Sequence, residues 1–227
     1  MSKAECVRLN KEIKSCGLVK LTWGNVSLRE GHKMLIKPSG VPFNILSPED
    51  IAVVDVETGE HLEGKKPSVD TDIHLELYRG FGEIKSIIHT HSKYATAWAQ
   101  AEKSIPCIGT THADYFSGPI PVMVNLKDYE IKENYEKNIG KSVVQYFIGN
   151  KQSPLEKGAV LLPKHGVLAF GKTGATALEN AIVLEEVAEL ATLSYTINSE
   201  LKLEEEHRVL FEKHYKRKHG ENKYYGQ

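Results

Sequence analysis

The sequence predicts an α/β fold, a single domain with a mainly antiparallel central β-sheet flanked by helices. Three observations carry this. Short apolar, β-branched runs lie close together near the start and middle of the chain. Segments with helical periodicity separate and follow them. No linker, internal repeat or low-complexity stretch divides the 227 residues, a length that buries one good core.

Taken in order, residues 2–15 carry apolar side chains at helical spacing, and Gly17 is a plausible stop. Strand-like runs follow at 21–28, 34–37 and 51–56, and Glu57-Thr58-Gly59-Glu60 reads as a hairpin turn. Ser68 is expected to cap a helix through Ile73, Leu75, Leu77 and Tyr78 that ends at Gly80 and Gly82. Residues 84–91 read as a buried strand, 92–102 as a helix, 120–124 as a further strand and 128–147 as an amphipathic helix. A strand–turn–strand over 159–170 puts His165-Gly166 at its turn. Long helices over 173–198 and 204–219 complete the chain.

Composition excludes several function classes. Hydrophobic residues make up 41% and charged residues 26%, the balance of a soluble globular chain. A net charge of -1 gives no general attraction to nucleic acid or anionic membrane. Charges interrupt the first residues before an apolar signal region forms, and no apolar run approaches the ~20 residues of a membrane span. Cys6, Cys16 and Cys107 have no Cys-x-x-Cys spacing and read as free thiols, so the expected location is cytoplasmic.

Histidines carry the first chemical signal. His89-Thr90-His91 ends the run 84–91, and residues i and i+2 of a strand share a face, so both imidazoles reach one point. His165 ends another apolar strand at a glycine turn. Three neutral imidazoles suit Zn²⁺ with an open position, and Asp70, at a helix start, offers a carboxylate. The same donors suit Mn, Co or Ni. Spacing alone leaves open a hydrogen-bonded pair that holds no metal.

Small-residue loops carry the second. Trp23-Gly24-Asn25-Val26-Ser27, Lys37-Pro38-Ser39-Gly40 and Lys66-Pro67-Ser68-Val69-Asp70 each offer hydroxyl, amide or free backbone N–H groups suited to an anion. None matches a P-loop or a dinucleotide-binding motif. Singly each reads as a turn; only convergence would make them a phosphate site.

These features resemble the class II aldolase/epimerase family. The likeness runs through Leu21-Thr22-Trp23-Gly24-Asn25-Val26-Ser27, His89-Thr90-His91-Ser92, Gly109-Thr110-Thr111-His112-Ala113-Asp114-Tyr115-Phe116, His165-Gly166, the segment 180–188 and the end from Lys213-His214-Tyr215 to Tyr224-Tyr225-Gly226-Gln227. The resemblance implies a homotetramer with interfacial active sites and one divalent metal per subunit, most simply Zn, on Asp70, His89, His91 and His165. It implies phosphate loops at Gly24 and Asn25, at Ser39 and Gly40, and at Ser68 and Val69. An acid/base pair, Asp114 and Tyr225, would come from the neighbouring subunit. Val69 stands where the family usually has a second serine, which removes one hydroxyl from the expected phosphate site.

Within the family the likeness is to the 4-epimerases that interconvert L-ribulose 5-phosphate and D-xylulose 5-phosphate. The C4 hydrogen of such a ketose is not acidic, because the ketone is at C2. Cleaving and remaking the C3–C4 bond is the alternative, with one acid/base group on each side. Lys37 and His214 are further candidates for holding substrate. His74 reads as a packed histidine or a partner of Asp70, His112 as shaping the turn that presents Asp114, and Trp23 and Trp98 as packing. The rival readings are a metal-dependent sugar 1-phosphate aldolase of the L-fuculose type and a noncatalytic sugar-phosphate-binding protein. Similar aldolases carry Glu where this chain has Asp70, and lack the run His112-Ala113-Asp114-Tyr115-Phe116.

Overall fold

A computed structural model describes residues 1–202, 205–221 and 223–224. Seven strands form one sheet: β1 (Asn25–Glu30), β2 (Lys33–Ile36), β3 (Ala52–Asp55), β4 (His61–Glu63), β5 (Ser86–Thr90), β6 (Ala159–Leu162) and β7 (Gly166–Gly171). Their order is β4-β3-β2-β1-β5-β7-β6, and every neighbouring pair is antiparallel. The helices are α1 (Lys3–Ser15), α2 (Thr71–Gly80), α3 (Lys93–Gln100), α4 (Thr110–Ala113), α5 (Asp128–Lys132), α6 (Tyr135–Gly149), α7 (Pro154–Lys157), α8 (Gly174–Ile197) and α9 (Glu205–His219).

The central strands are near-continuous buried runs, and because successive side chains point to opposite faces, both sheet faces are apolar and helices cover both. Val26, Leu28, Leu35, Ile88, Val167 and Ala169 face the core shared with α1, α3 and α8. Met34, Ile36, Ile87, Leu168 and Phe170 face the opposite core, where α2 and α6 supply Ile73, Leu77, Val143 and Phe147. His89 follows Ile87 by two residues and so lies on the α2 face. No described helix is long and apolar enough to cross a membrane.

Local chemistry explains where the predicted elements shift. The run 21–28 becomes strand only from Asn25, because Leu21 and Gly24 both turn at positive φ. A Cβ on Gly24 would lie 2.7 Å from His89 O, so glycine lets this turn close against β5. Ser68 does not cap α2; Asp70 stands at the N-cap, and Ser68 turns toward Asn25 and Asp70 instead. Residues 120–124 join no sheet ladder. Only single bridges form, Ile105 to Ile120 and Val122 to Leu161, because Pro119 and Pro121 remove the donors that would extend them. The helix expected over 128–147 is two, broken at Asn134 in the left-handed conformation. Helix α5 buries no side chain, whereas α6 buries Ile139, Val143 and Phe147.

Candidate metal and sugar-phosphate site

Sheet register builds the site. Asn25 of β1 pairs with His89 of β5, and His89 pairs with Leu168 of β7. The β6–β7 turn, with Lys164 at positive φ, therefore brings His165 beside the end of β5. The His89, His91 and His165 rings stand with centroids 4.9 to 5.1 Å apart. One nitrogen from each lies within 4.8 Å of the others; among the described residues no other group of three His, Cys, Asp or Glu does this. Gly166 is required here, since a Cβ would meet Thr90 O at 2.6 Å and His91 Cδ2 at 2.9 Å.

Three observations fit a divalent cation. Nδ1–H of His89 donates to Val167 O at 3.0 Å, which fixes the tautomer and leaves the Nε2 lone pair facing Nε2 of His91 at 3.0 Å. Facing nitrogens need a proton or a cation between them. Burial above all keeps His89, His91 and His165 below the ordinary imidazole value, His165 at about 4, so all three are neutral donors at neutral pH. His91 is exposed, which leaves a side open to a small molecule.

Asp70 stands outside the close triad. Its Oδ2 accepts from Asn25 Nδ2 at 2.8 Å and from Ser68 Oγ at 3.2 Å. Burial works to raise its carboxyl, but His89, His74, His165 and Ser68 outweigh that and hold it below the usual range.

The three small-residue loops converge on the same place. Gly24, Asn25, Ser39, Gly40, Ser68, Val69, Asp70, His89, His91 and His165 all line one cavity of about 320 Å³. Loop is tied to loop: Asn25 Nδ2 donates to Ser68 Oγ at 3.1 Å, and Ser39 N donates to Lys66 O at 3.1 Å. Lys37 joins them with its amine turned inward, 2% exposed and 4.7 Å over the Phe43 ring. Burial lowers its pKa to about 8, with Asp70 opposing. Trp23, expected to pack, is instead 53% exposed at the cavity rim. Trp98 does pack, donating from Nε1 to Ala188 O and Thr192 Oγ1.

Asp114 is not part of this lining. It follows α4, in a turn held by Nε2–H of His112 donating to Gly118 O at 2.8 Å. Helix α9 grips it. Arg217 donates to both carboxylate oxygens, from Nε at 3.1 Å and Nη2 at 2.8 Å. His214 Nδ1 lies 3.1 Å from Oδ1, and Nε2–H of His219 donates to the Asp114 carbonyl at 2.8 Å. Tyr225, the other acid/base candidate, lies outside the described residues. A larger cavity of about 860 Å³ opens between α9 and the α4 region, but it contains none of the three imidazoles.

Sequence reasoning missed Arg217 and Tyr135. The first sits in a short basic run that reads as a solvated helix face. The second stacks on His165 from a helix start that the pattern over 128–147 concealed.

The chain belongs to the class II aldolase and adducin N-terminal domain family, whose model matches residues 4–192. Among solved structures it is similar to an L-fuculose 1-phosphate aldolase at 26% identity, over 94% of this chain and 95% of that one, with a TM-score of 0.77. It is also similar to L-fuculose-1-phosphate aldolase from Thermus thermophilus, at 26% identity over 87% and 97% of the two chains, TM-score 0.69. A sugar-phosphate aldolase from Thermotoga maritima shares the fold at 22% identity, over 86% and 95%, TM-score 0.68.

Proposed function

We propose that the chain is an L-ribulose-5-phosphate 4-epimerase that interconverts L-ribulose 5-phosphate and D-xylulose 5-phosphate. The observation that carries the reading is the single cavity shared by three imidazoles, three small-residue loops and the inward-turned Lys37. Donors for an anion and donors for a metal meet within the span of one small sugar phosphate. Asp70 in place of a glutamate, and Asp114 within the run 112–116, favour epimerisation over simple cleavage.

Each group then has a task. Ser39, Ser68, Asn25 and the backbone N–H groups of Gly40 and Val69 hold the phosphate, and Lys37 adds positive charge. Val69 contributes no hydroxyl, so at this position the loop offers only its backbone N–H, beside the Ser68 hydroxyl. His89, His91 and His165, with Asp70 close by, would hold a divalent cation, most simply Zn²⁺, which when bound would supply Lewis-acid polarisation of substrate oxygens. One acid/base group takes the C4 hydroxyl proton as the C3–C4 bond breaks. The freed glycolaldehyde phosphate turns about its anchored phosphate, the bond re-forms on the other face, and a second group returns a proton to the C4 oxygen from the opposite side. Asp114 and Tyr225 are assigned these roles, supplied by a neighbouring copy in a homotetramer.

The second reading is a sugar 1-phosphate aldolase, which the two L-fuculose 1-phosphate aldolase structures favour. A coupled assay separates the two. Chelated protein restored with Zn²⁺, Mn²⁺, Co²⁺ or Ni²⁺ one at a time should form D-xylulose 5-phosphate from L-ribulose 5-phosphate only when metal is present. Free aldehyde from a sugar 1-phosphate, with no pentulose interconversion, establishes the aldolase. Binding without turnover on either substrate leaves a sugar-phosphate-binding protein.

A further inference from the structure

We infer that Tyr135 is a positioning residue for the metal centre, its ring setting the plane of the His165 imidazole. The inference rests on the triad being a metal site and is independent of which sugar phosphate is turned over.

The three imidazoles are not held alike. His89 is anchored by its Nδ1–H bond to Val167 O. His165 Nδ1 is buried and has no hydrogen-bond partner. Ring contacts hold His165 instead. Two of them are edge-on, to His89 and His91, which are members of the same triad and will move with it. The third is Tyr135, stacked on His165 with centroids 6.0 Å apart and planes inclined by 30°. Aromatic pairs at this separation carry an orientation preference beyond their buried area. Tyr135 is therefore the ring from outside the triad that restrains His165.

Its own position is fixed by the backbone. Tyr135 is the first residue of α6, and Asn134 at φ 56° turns the chain into it. Five residues on, Gly140 presses α6 against α2: a Cβ there would lie 2.7 Å from Glu76 Cβ and 2.9 Å from Ile73 O. Helix α2 is the one that begins at Asp70. Tyr135 also walls a cavity of about 130 Å³ with Met123, Leu126, Ile139 and Leu162. Without the ring, His165 would border that space and gain room to rotate. The ring does this work, so phenylalanine should replace tyrosine.

The test is metal affinity measured without substrate. Purified wild type, Tyr135→Phe and Tyr135→Leu are titrated with Zn²⁺ against a chromophoric chelator, and visible spectra are recorded with Co²⁺. Urea unfolding of the metal-free forms checks that each is folded. Tyr135→Leu should bind Zn²⁺ roughly three- to tenfold more weakly and show an altered Co²⁺ spectrum, while Tyr135→Phe stays within about twofold of wild type. If Tyr135→Leu does not fold, Tyr135→Met fills the volume without an aromatic face and takes its place. Wild-type affinity and spectrum in the folded non-aromatic variant would overturn the inference, as would an equal loss in Tyr135→Phe. Failure of wild type to bind any of these metals would instead remove the metal centre itself.

Discussion

His74 is sealed in the core on the α2 face, where the Ser27 hydroxyl stands 2.7 Å from both its Nδ1 and the Tyr78 hydroxyl. Its Nε2 has no hydrogen-bond partner, so a charged ring there would lack solvation. Burial, with Asp70 opposing, lowers its pKa to about 3. The unfolded chain binds a proton near pH 6.5 that the folded chain refuses, so stability is complete above that pH and is lost as pH falls toward 3. At pH 5 the cost from this group is about 2 kcal/mol. Urea midpoints of metal-free protein between pH 7 and pH 5 should fall less in His74→Asn, whose amide oxygen can accept from Ser27. Parallel slopes in the two proteins would remove His74 from acid instability. The sequence offered a packed His74 or a partner of Asp70; it is packed, because α2 turns it onto Ser27.

At the scale of elements, the site depends on how closely β7 approaches β5. Gly166 permits that approach, and the groups its Cβ would strike include the Thr90 carbonyl, which cannot swing aside. Gly166→Ala should destabilise the fold by about 1–3 kcal/mol and weaken metal binding, since the ring atoms of His89 and His91 lie in the same space. Urea denaturation with a zinc titration checks both; an unchanged midpoint and affinity would mean that the hairpin can shift freely. The hairpin itself was legible, because Ala159-Val160-Leu161-Leu162 and Gly166-Val167-Leu168-Ala169-Phe170 are apolar runs around one turn. Asn134 was not. Its neighbours Lys132, Glu133 and Glu136 fit a continuous polar helix face, and the break follows from where α6 meets α2.

For the whole molecule, the proposed reaction needs Asp114 at the cavity lined by the imidazoles, and one chain keeps it on the α4–α9 side, gripped by Arg217 and His214. A neighbouring copy is proposed to answer that need, as the resemblance to interfacial family sites implies. Mixed oligomers test it. Asp114→Asn and His89→Asn proteins should each be nearly inactive, and co-assembled in equal amounts they should recover about a quarter of wild-type turnover, because one interfacial site in four pairs an intact triad with an intact Asp114. No recovery in verified mixed oligomers would place both groups in a single chain's site.

The sequence by itself determined the donors and their local geometry. His89 and His91 share a face because a strand alternates, His165 meets a turn because glycine follows it, and the loops carry small residues that leave backbone N–H groups free. It also determined the layered α/β class through periodicity. What only the tertiary structure decided is which of these meet. Asn25 and His89 are neighbours through the β1–β5 register, and His89 and His165 through the β5–β7 register. Such pairings join residues more than sixty apart and follow from strand order, which no local pattern encodes. The same long-range packing turned Ser68 from helix cap to loop partner, brought Tyr135 onto His165, and kept Asp114 away from the cavity in its own chain.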